Sequence, residues 1–479
     1  MNFSRIITST RGFIVKHPKV ATLLKFLPVF VMFWIVSWQK LDPDFGWHLQ
    51  AGRYITSHGI PGHDIYSYTA SSFKWIDHEW GYDVILANIF KLSHGWEILA
   101  TLFATLWTLM MYVSGRKSSA LLLVIATFAV LPYAGIRPMV FTFLLFVALL
   151  KLSNHKSWRL KFLIPLMFVL WANLHGGLII GLLILIYFSY RDKDAKWLLV
   201  LLASILATFI NPYGPALYLE IGRTILDSSV HSRIAEWAYL TFYWPSYLFT
   251  ILWGFGFLLF DLSAVGRLLK EFIKHPFRWH KIDNLLLGPL TLLLAANATR
   301  NVPIFVVTNL SQVDDYLRQA LAMFPKKLNR IAKGMIAIMI FGSLYLGVKS
   351  YQNSFTAFNV VRGAGYPSQA VDYINEHGCG GGNIFNFYDY GGYLVWKLPA
   401  YKIYIDGRMP VWRDENGRRY MDDYLRLIHD KEFMKSQFDK YNVSCMLVPI
   451  KSKFLVNYGN DNKWIKVAEA DGWVLLVRP

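Results

Sequence analysis

Apolar runs recur through the first 348 residues of this chain, at roughly 21–39, 95–113, 119–134, 139–150, 162–174, 177–189, 197–210, 246–260, 284–298, 301–313 and 334–348. A bilayer core accepts only segments that satisfy their own backbone hydrogen bonds, so such a series dictates a bundle of membrane helices. About eleven crossings are expected, several shorter than the ~20 residues of a full span. The composition agrees: 54% of the 479 residues are hydrophobic and 17% charged, too apolar for a soluble protein of this length.

A net charge of +18 would point to nucleic acid in a soluble chain. Here its placement gives another reading. With the N-terminus inside, 24 of the 49 lysines and arginines fall in short inner loops and 8 in the outer loops before residue 349. That is the positive-inside pattern, so the charge encodes topology and no nucleic-acid partner is expected. The chain is expected in the plasma (inner) membrane, with a cytoplasmic N-terminus and the region from about 349 onward exoplasmic.

Residues 162–189 run between two basic loops and must cross an even number of times, so WANLHGG at 171–177 is expected to break them into two short helices. Short broken helices are buried among neighbours or line a polar cavity.

This register sorts the polar residues by side. Asp42, Asp44, His48, Asp77, His78, Glu79, Arg137, Asn173, His175, Asn211, Glu236 and Arg300 all fall at outer ends or in outer loops. Ionisable groups near a bilayer are costly, and a one-sided set of them points to an active cavity at the outer surface. The first outer loop, about 40–94, holds FGWHLQAGRYITSHG and HEWGYDVILANIFKL, two amphipathic helices suited to lying along the interface. Asp44 and His48 share a face of the first, as Glu79 and Asp83 do of the second. Asp44 and Asp77 also stand where a carboxylate can cap a helix. Asp42 reads as an ordinary loop acid and NPYG, at 211–214, as a turn. Glu236 lies in a long outer segment, 211–245, whose aromatics fit either a wall of the cavity or an anchoring belt.

The strings DPDFGWHLQAG, WIDHEWGYDVI, WANLHGG, NPYG, and NIFNFYDYGGYLVWKLP followed by YIDGR resemble a mostly uncharacterised bacterial branch of the GT-C membrane glycosyltransferases, across nearly the whole chain. The resemblance implies transfer of a sugar, with inversion, from a polyprenyl-phosphate carrier to an exoplasmic lipid, glycan or protein acceptor. By position, Asp44 matches the first-loop aspartate that serves in the class as general base or metal-site ligand, and Glu79 the second first-loop acid. A divalent ion, Mg or Mn, is compatible with the resemblance, although some members work without one. The chemistry is consistent: a carboxylate accepts the acceptor's proton while cations meet the departing phosphate. Arg137 and Arg300 suit the second role, or pair structurally. His48, His78, His175 and Glu236 complete the substrate-binding candidates, and for His175 an interhelical hydrogen bond is the alternative.

From about 349 to 479 acids and bases nearly balance and apolar runs shorten to strand length, so a small soluble α/β domain is expected after a transmembrane region spanning 1–348. NIFNFY, YLVWK, KIYI, VSCMLVP and GWVLLV read as strands, with helices near 368–377, 417–428 and 431–440. HGCGGGN reads as a helix stop. Asp406 and Arg408 in YIDGR suit a salt-bridged turn or contact with acceptor. Cys379 and Cys445 lie in the domain that an exported location would leave free to oxidise, and their spacing alone decides nothing about a bridge. A transporter or flippase of lipid-linked saccharides and a noncatalytic envelope scaffold are the competing functional classes; the first would carry ionisable residues along a path through the membrane.

Overall fold

The computed structural model describes residues 18–239, 244–263, 286–323, 365–458, 464–470 and 472–478, with single positions at 266, 270 and 345. The apolar runs become helices: α1 (Pro18–Gln39) precedes α2 (Phe45–His58) and α3 (Trp80–Phe90) of the first outer loop. Then come α4 (Gly95–Gly115), α5 (Ala120–Val130), α6 (Met139–Ser153), α7 (Ile164–Leu174), α8 (Leu178–Asp192), α9 (Lys196–Ala207), α10 (Ala216–Leu226), α11 (Trp244–Gly256), α12 (Leu287–Asn297) and α13 (Val302–Ala322). Among the described residues two stretches, Thr22–Gln39 and Gly95–Gly115, are long and apolar enough to cross a membrane by themselves. The run at 334–348 lies outside the described residues.

Large apolar side chains face outward on these helices, with Leu23 72%, Leu206 64% and Leu293 67% exposed. Water rarely meets so much apolar surface in a soluble domain; hydrocarbon does. The inner faces interlock around Phe33, Phe103, Trp107, Phe146, Trp171 and Phe305. WANLHGG breaks the chain as expected: α7 ends at Leu174, His175 is extended, and α8 starts at Leu178.

The C-terminal region carries a four-stranded sheet of order β1-β2-β4-β3, built from β1 (Asn383–Asn386), β2 (Val443–Pro449), β3 (Ile465–Ala470) and β4 (Trp473–Val477). The β1–β2 pair is parallel and the other two are antiparallel. Helices at Ser368–His377, Tyr420–Leu427 and Lys431–Lys440 fall where the sequence puts them, and Gly378, at φ 77°, stops the first.

Two expectations need correction. YLVWK is not a strand: Gly391–Lys397 forms a helix, α14. Its β-favouring residues are overridden by docking on α2, where the backbones touch so closely that a β-carbon on Gly46 would lie 2.0 Å from the Gly392 carbonyl oxygen. KIYI makes only an isolated bridge, Ile403 to Ser67, while β3, with Lys466 and Glu469 exposed, is a strand absent from the expected set. The first outer loop also packs against the C-terminal region. Its helix α2 is wedged between α3 and α14, and Trp47, Ala51, Ala70 and Trp75 of the first outer loop belong to the hydrophobic core of the C-terminal domain.

Cys379 and Cys445 form a disulfide, with Cα atoms 5.5 Å apart, joining the loop before β1 to β2. The YIDGR turn also ties this domain to the first outer loop. Arg408 makes a bidentate pair with Asp406 and reaches Asp64 at 2.7 Å, with Tyr66, Trp75 and Trp412 packed around its guanidinium. The salt-bridged turn is therefore the correct reading of Asp406 and Arg408, and both are buried.

Candidate active site

The site begins where α1 ends. Asp42 is not an ordinary loop acid: it is buried, its Oδ1 accepts the Asp44 backbone N–H at 3.0 Å, and its Oδ2 meets Arg137 Nε at 2.6 Å. Arg137 Nη2 in turn donates to Glu236 Oε2 at 2.8 Å, and Arg300 Nη1 lies 3.2 Å from Glu236 Oε1. The result is a linear array, Asp42–Arg137–Glu236–Arg300, drawn from four distant segments. Burial pushes the Glu236 carboxyl up, but Arg137 and Arg300 together outweigh it and hold it at about 2. Glu236 is thus the counterion of both arginines rather than an aromatic anchor's passenger.

Asp44 immediately precedes α2 but makes no capping hydrogen bond. Its Oδ1 accepts the Trp47 indole N–H at 2.9 Å, and its carboxylate lies against Gly407 of the YIDGR turn, where a β-carbon would fall 1.8 Å from Oδ1. Burial, with the Asp42 charge beside it, raises this carboxyl to about 8. The capping reading of Asp44 therefore fails, whereas Asp77 does accept a backbone N–H, from Glu79, ahead of α3.

A second cluster surrounds Glu79. Helices α2 and α3 cross in backbone contact, since a β-carbon on Gly52 would lie 1.9 Å from the Asp83 carbonyl oxygen. One turn earlier, this crossing sets His48 Nδ1 at 2.6 Å from Asp83 Oδ1. His48 Nε2 then faces Glu79 Oε2 at 3.7 Å, while His175 Nε2 and His78 Nε2 stand 3.4 and 3.9 Å from Glu79 Oε1. Burial, with Asp77 nearby, lifts Glu79 to about 8, and burial likewise pushes the His48 imidazole well below its usual range. At neutral pH the His48–Glu79 contact is a neutral acid beside a neutral imidazole, not an ion pair.

Hydrogen bonds assign the tautomers. Thr142 Oγ1 accepts the Trp171 indole N–H at 2.8 Å and lies 2.7 Å from His175 Nδ1, which also accepts the Gly177 N–H. Nδ1 is therefore an acceptor, so Nε2 carries the proton and points it at Glu79. The interhelical hydrogen bond and the site role of His175 coexist on its two nitrogens.

These donors do not fit Mg or Mn. Such ions prefer several oxygens, whereas Asp42 is spent on Arg137, His175 offers an N–H, and Asp83 is spent on His48. Among the described residues no group of three or more His, Cys, Asp or Glu is arranged to hold a metal ion. A cleft of about 520 Å³ lined by Phe73, Arg223, Asp227, Arg413 and Arg419 takes in none of the candidate residues.

All eight candidates occur in these two neighbouring clusters. Sequence reasoning missed Asp42 as a participant, and Thr142 and Gly407 altogether. The DPD spacing was a usable signal for Asp42; nothing local marked the other two.

No protein-family model matches the sequence, and no curated protein matches it. Solved structures do. The apo oligosaccharyltransferase of Archaeoglobus fulgidus superposes with a TM-score of 0.56 at 12% identity, over 89% of this chain and 70% of that one. The archaeal oligosaccharyltransferase AglB, also from Archaeoglobus fulgidus, in complex with an inhibitory peptide and a dolichol-phosphate gives 0.55 at 11% identity, over 89% and 69%. The first of these, tethered to an acceptor peptide containing the NVT sequon, gives 0.52 at 12%, over 89% and 69%. At such identities the likeness establishes the fold, which is the GT-C architecture expected from the motifs.

Proposed function

We propose that this GT-C-fold protein is a membrane glycosyltransferase that moves a sugar from a polyprenyl-phosphate carrier to an acceptor on the exoplasmic side. The observation that carries the reading is Asp44, a half-buried carboxylate in a capping position that caps nothing, set next to Asp42 and its partner Arg137. In this reading the ionised form of Asp44, made more basic than an ordinary carboxylate by burial and by Asp42, accepts the acceptor hydroxyl's proton as the glycosidic bond forms on the face of the sugar opposite the leaving group, which inverts the anomeric centre. The carrier phosphate departs with the bonding electrons. Arg137 and Arg300 meet its charge, exchanging part of their hold on Glu236 for phosphate oxygens. The C-terminal domain, seated on Asp44 through Gly407, keeps water away from the reacting pair.

The structure of an enzyme of this fold with dolichol-phosphate supports a lipid-phosphate donor. The basic inner loops support about eleven crossings with the N-terminus cytoplasmic and residues from about 349 outside. The test is incubation of the purified chain in lipid with a panel of polyprenyl-phosphate sugars, followed by mass spectrometry of released carrier and glycosylated product. Carrier release above a protein-free control is expected with at least one donor; release with none overturns the reading.

A further inference from the structure

Asp83 and Asp77 are 0% and 2% exposed, and each carboxyl group is an electrostatic neighbour of the other. Each has one oxygen committed: Asp83 Oδ1 to His48 Nδ1 at 2.6 Å, and Asp77 Oδ1 to the Glu79 backbone N–H at 3.1 Å. The other oxygen of each, Oδ2, is buried and reached by no donor among the described residues. Two ionised carboxylates do not sit together out of water, nor does a buried oxygen go without a proton partner at low cost. One proton placed between them satisfies both orphaned oxygens. The nearby cation, Arg408, is spent on Asp406 and Asp64.

We propose that Asp83 carries this proton, donates it to Asp77, and serves as a positioning residue that orients His48 and, through it, Glu79. Protonated on Oδ2, Asp83 still accepts the His48 Nδ1–H on Oδ1. That fixes the imidazole with its Nε2 lone pair facing Glu79 Oε2, 3.7 Å away. On the other oxygen of Glu79, His175 presents an Nε2–H at 3.4 Å. An acceptor on one side and a donor on the other match a protonated Glu79, with its hydrogen on Oε2. His78, at 3.9 Å from Oε1, is the remaining titratable group facing it. Glu79 is thereby held as a neutral acid, able to give a hydrogen bond to the departing phosphate. This last role rests on the glycosyl-transfer reading; the shared proton does not.

The two are tested separately. Asn is the isostere of a protonated Asp: its amide nitrogen donates to Asp77 and its oxygen accepts from His48. Asp83→Asn is therefore expected to keep transfer within about threefold of the parent. Asp83→Leu should lose about 10-fold or more in kcat, the scale of a disturbed proton-transfer group, with its alkaline pH limb moved downward. Equal loss in both variants overturns the positioning role. Infrared spectroscopy of the purified full chain in lipid at neutral pH needs no turnover: a protonated-carboxyl C=O band present in the parent and absent in Asp83→Asn is expected. An unchanged band pattern overturns the shared proton, whether or not the protein proves to be a glycosyltransferase.

Discussion

Asp44 of the first outer loop and Gly407 of the C-terminal domain pack so closely that the glycine's missing side chain is the space the carboxylate occupies, a β-carbon there falling 1.8 Å from Oδ1. The proposed reacting group and the C-terminal region are thus coupled by one contact between residues more than 300 positions apart in the chain.

Two substitutions probe that contact. Asp44→Asn keeps the shape and still accepts the Trp47 N–H, so folding is expected intact while transfer falls roughly 10²-fold or more, the scale of a lost general base. Gly407→Ala is expected to cost a similar factor by displacing the carboxylate, without removing it. Near-parental turnover in Asp44→Asn, measured as carrier released per minute, ends the proposed mechanism.

The raised carboxyl of Glu79 makes a pH prediction. Its folded value, about 8, exceeds the ordinary value of 4.5. Between these limits the folded state holds a proton that the unfolded chain releases, so this group's contribution to stability is complete below about 4.5 and is lost as pH rises through about 8. Transfer that needs the acid form should likewise fall above about pH 8. Rate profiles should show that alkaline limb in the parent and its absence in Glu79→Gln.

Glu236 has the opposite sign. With its folded value held at about 2, its contribution is present above about 4.5 and disappears as pH falls toward 2. Thermal unfolding followed from pH 6 down to pH 3 should show a smaller decline in Glu236→Gln than in the parent.

The two arginines are expected to separate. Arg137 bridges Asp42 and Glu236, so Arg137→Gln strands a buried carboxylate and should destabilise by about 3–5 kcal/mol. Arg300 keeps one carboxylate contact and rests on the Trp237 ring. Arg300→Gln is expected to cost under about 2 kcal/mol while raising the donor KM. Denaturant midpoints beside KM values distinguish the two; equal losses in both measurements for both variants contradict the assignment.

Cys379 and Cys445 are 66 positions apart, and opening a loop of that length typically costs about 2–4 kcal/mol. Cys379→Ser, or reduction, should lower the melting temperature of the C-terminal domain and leave the helical region's transition in place. Topology is checked by single-cysteine labelling in intact cells: an impermeant reagent should reach position 432 and fail to reach position 117, both of which are exposed. Labelling of 117 alone reverses the orientation.

What was legible in the sequence was whatever depends on neighbours in the chain. The apolar runs gave helices because hydrocarbon forces backbone groups to pair within the segment, and WANLHGG broke one because His175 and its glycines leave the helical conformation there. Asp44 and Glu79 could be singled out because acids after apolar runs are costly. YLVWK misled because its Tyr, Val and Trp favour strands, and only the docking surface of α2 made it a helix.

The sequence by itself therefore determined the helices, the α/β region and the individual candidates. The tertiary structure decided how they pair: Asp42 with Arg137, Glu236 with two arginines, Asp83 with His48, and Asp44 with Gly407. Those choices depend on backbone crossings at Gly46 and Gly52 that bring remote segments within hydrogen-bonding distance. A charge's partner is fixed by geometry across the fold, and no spacing along the chain encodes a distance between segments hundreds of residues apart.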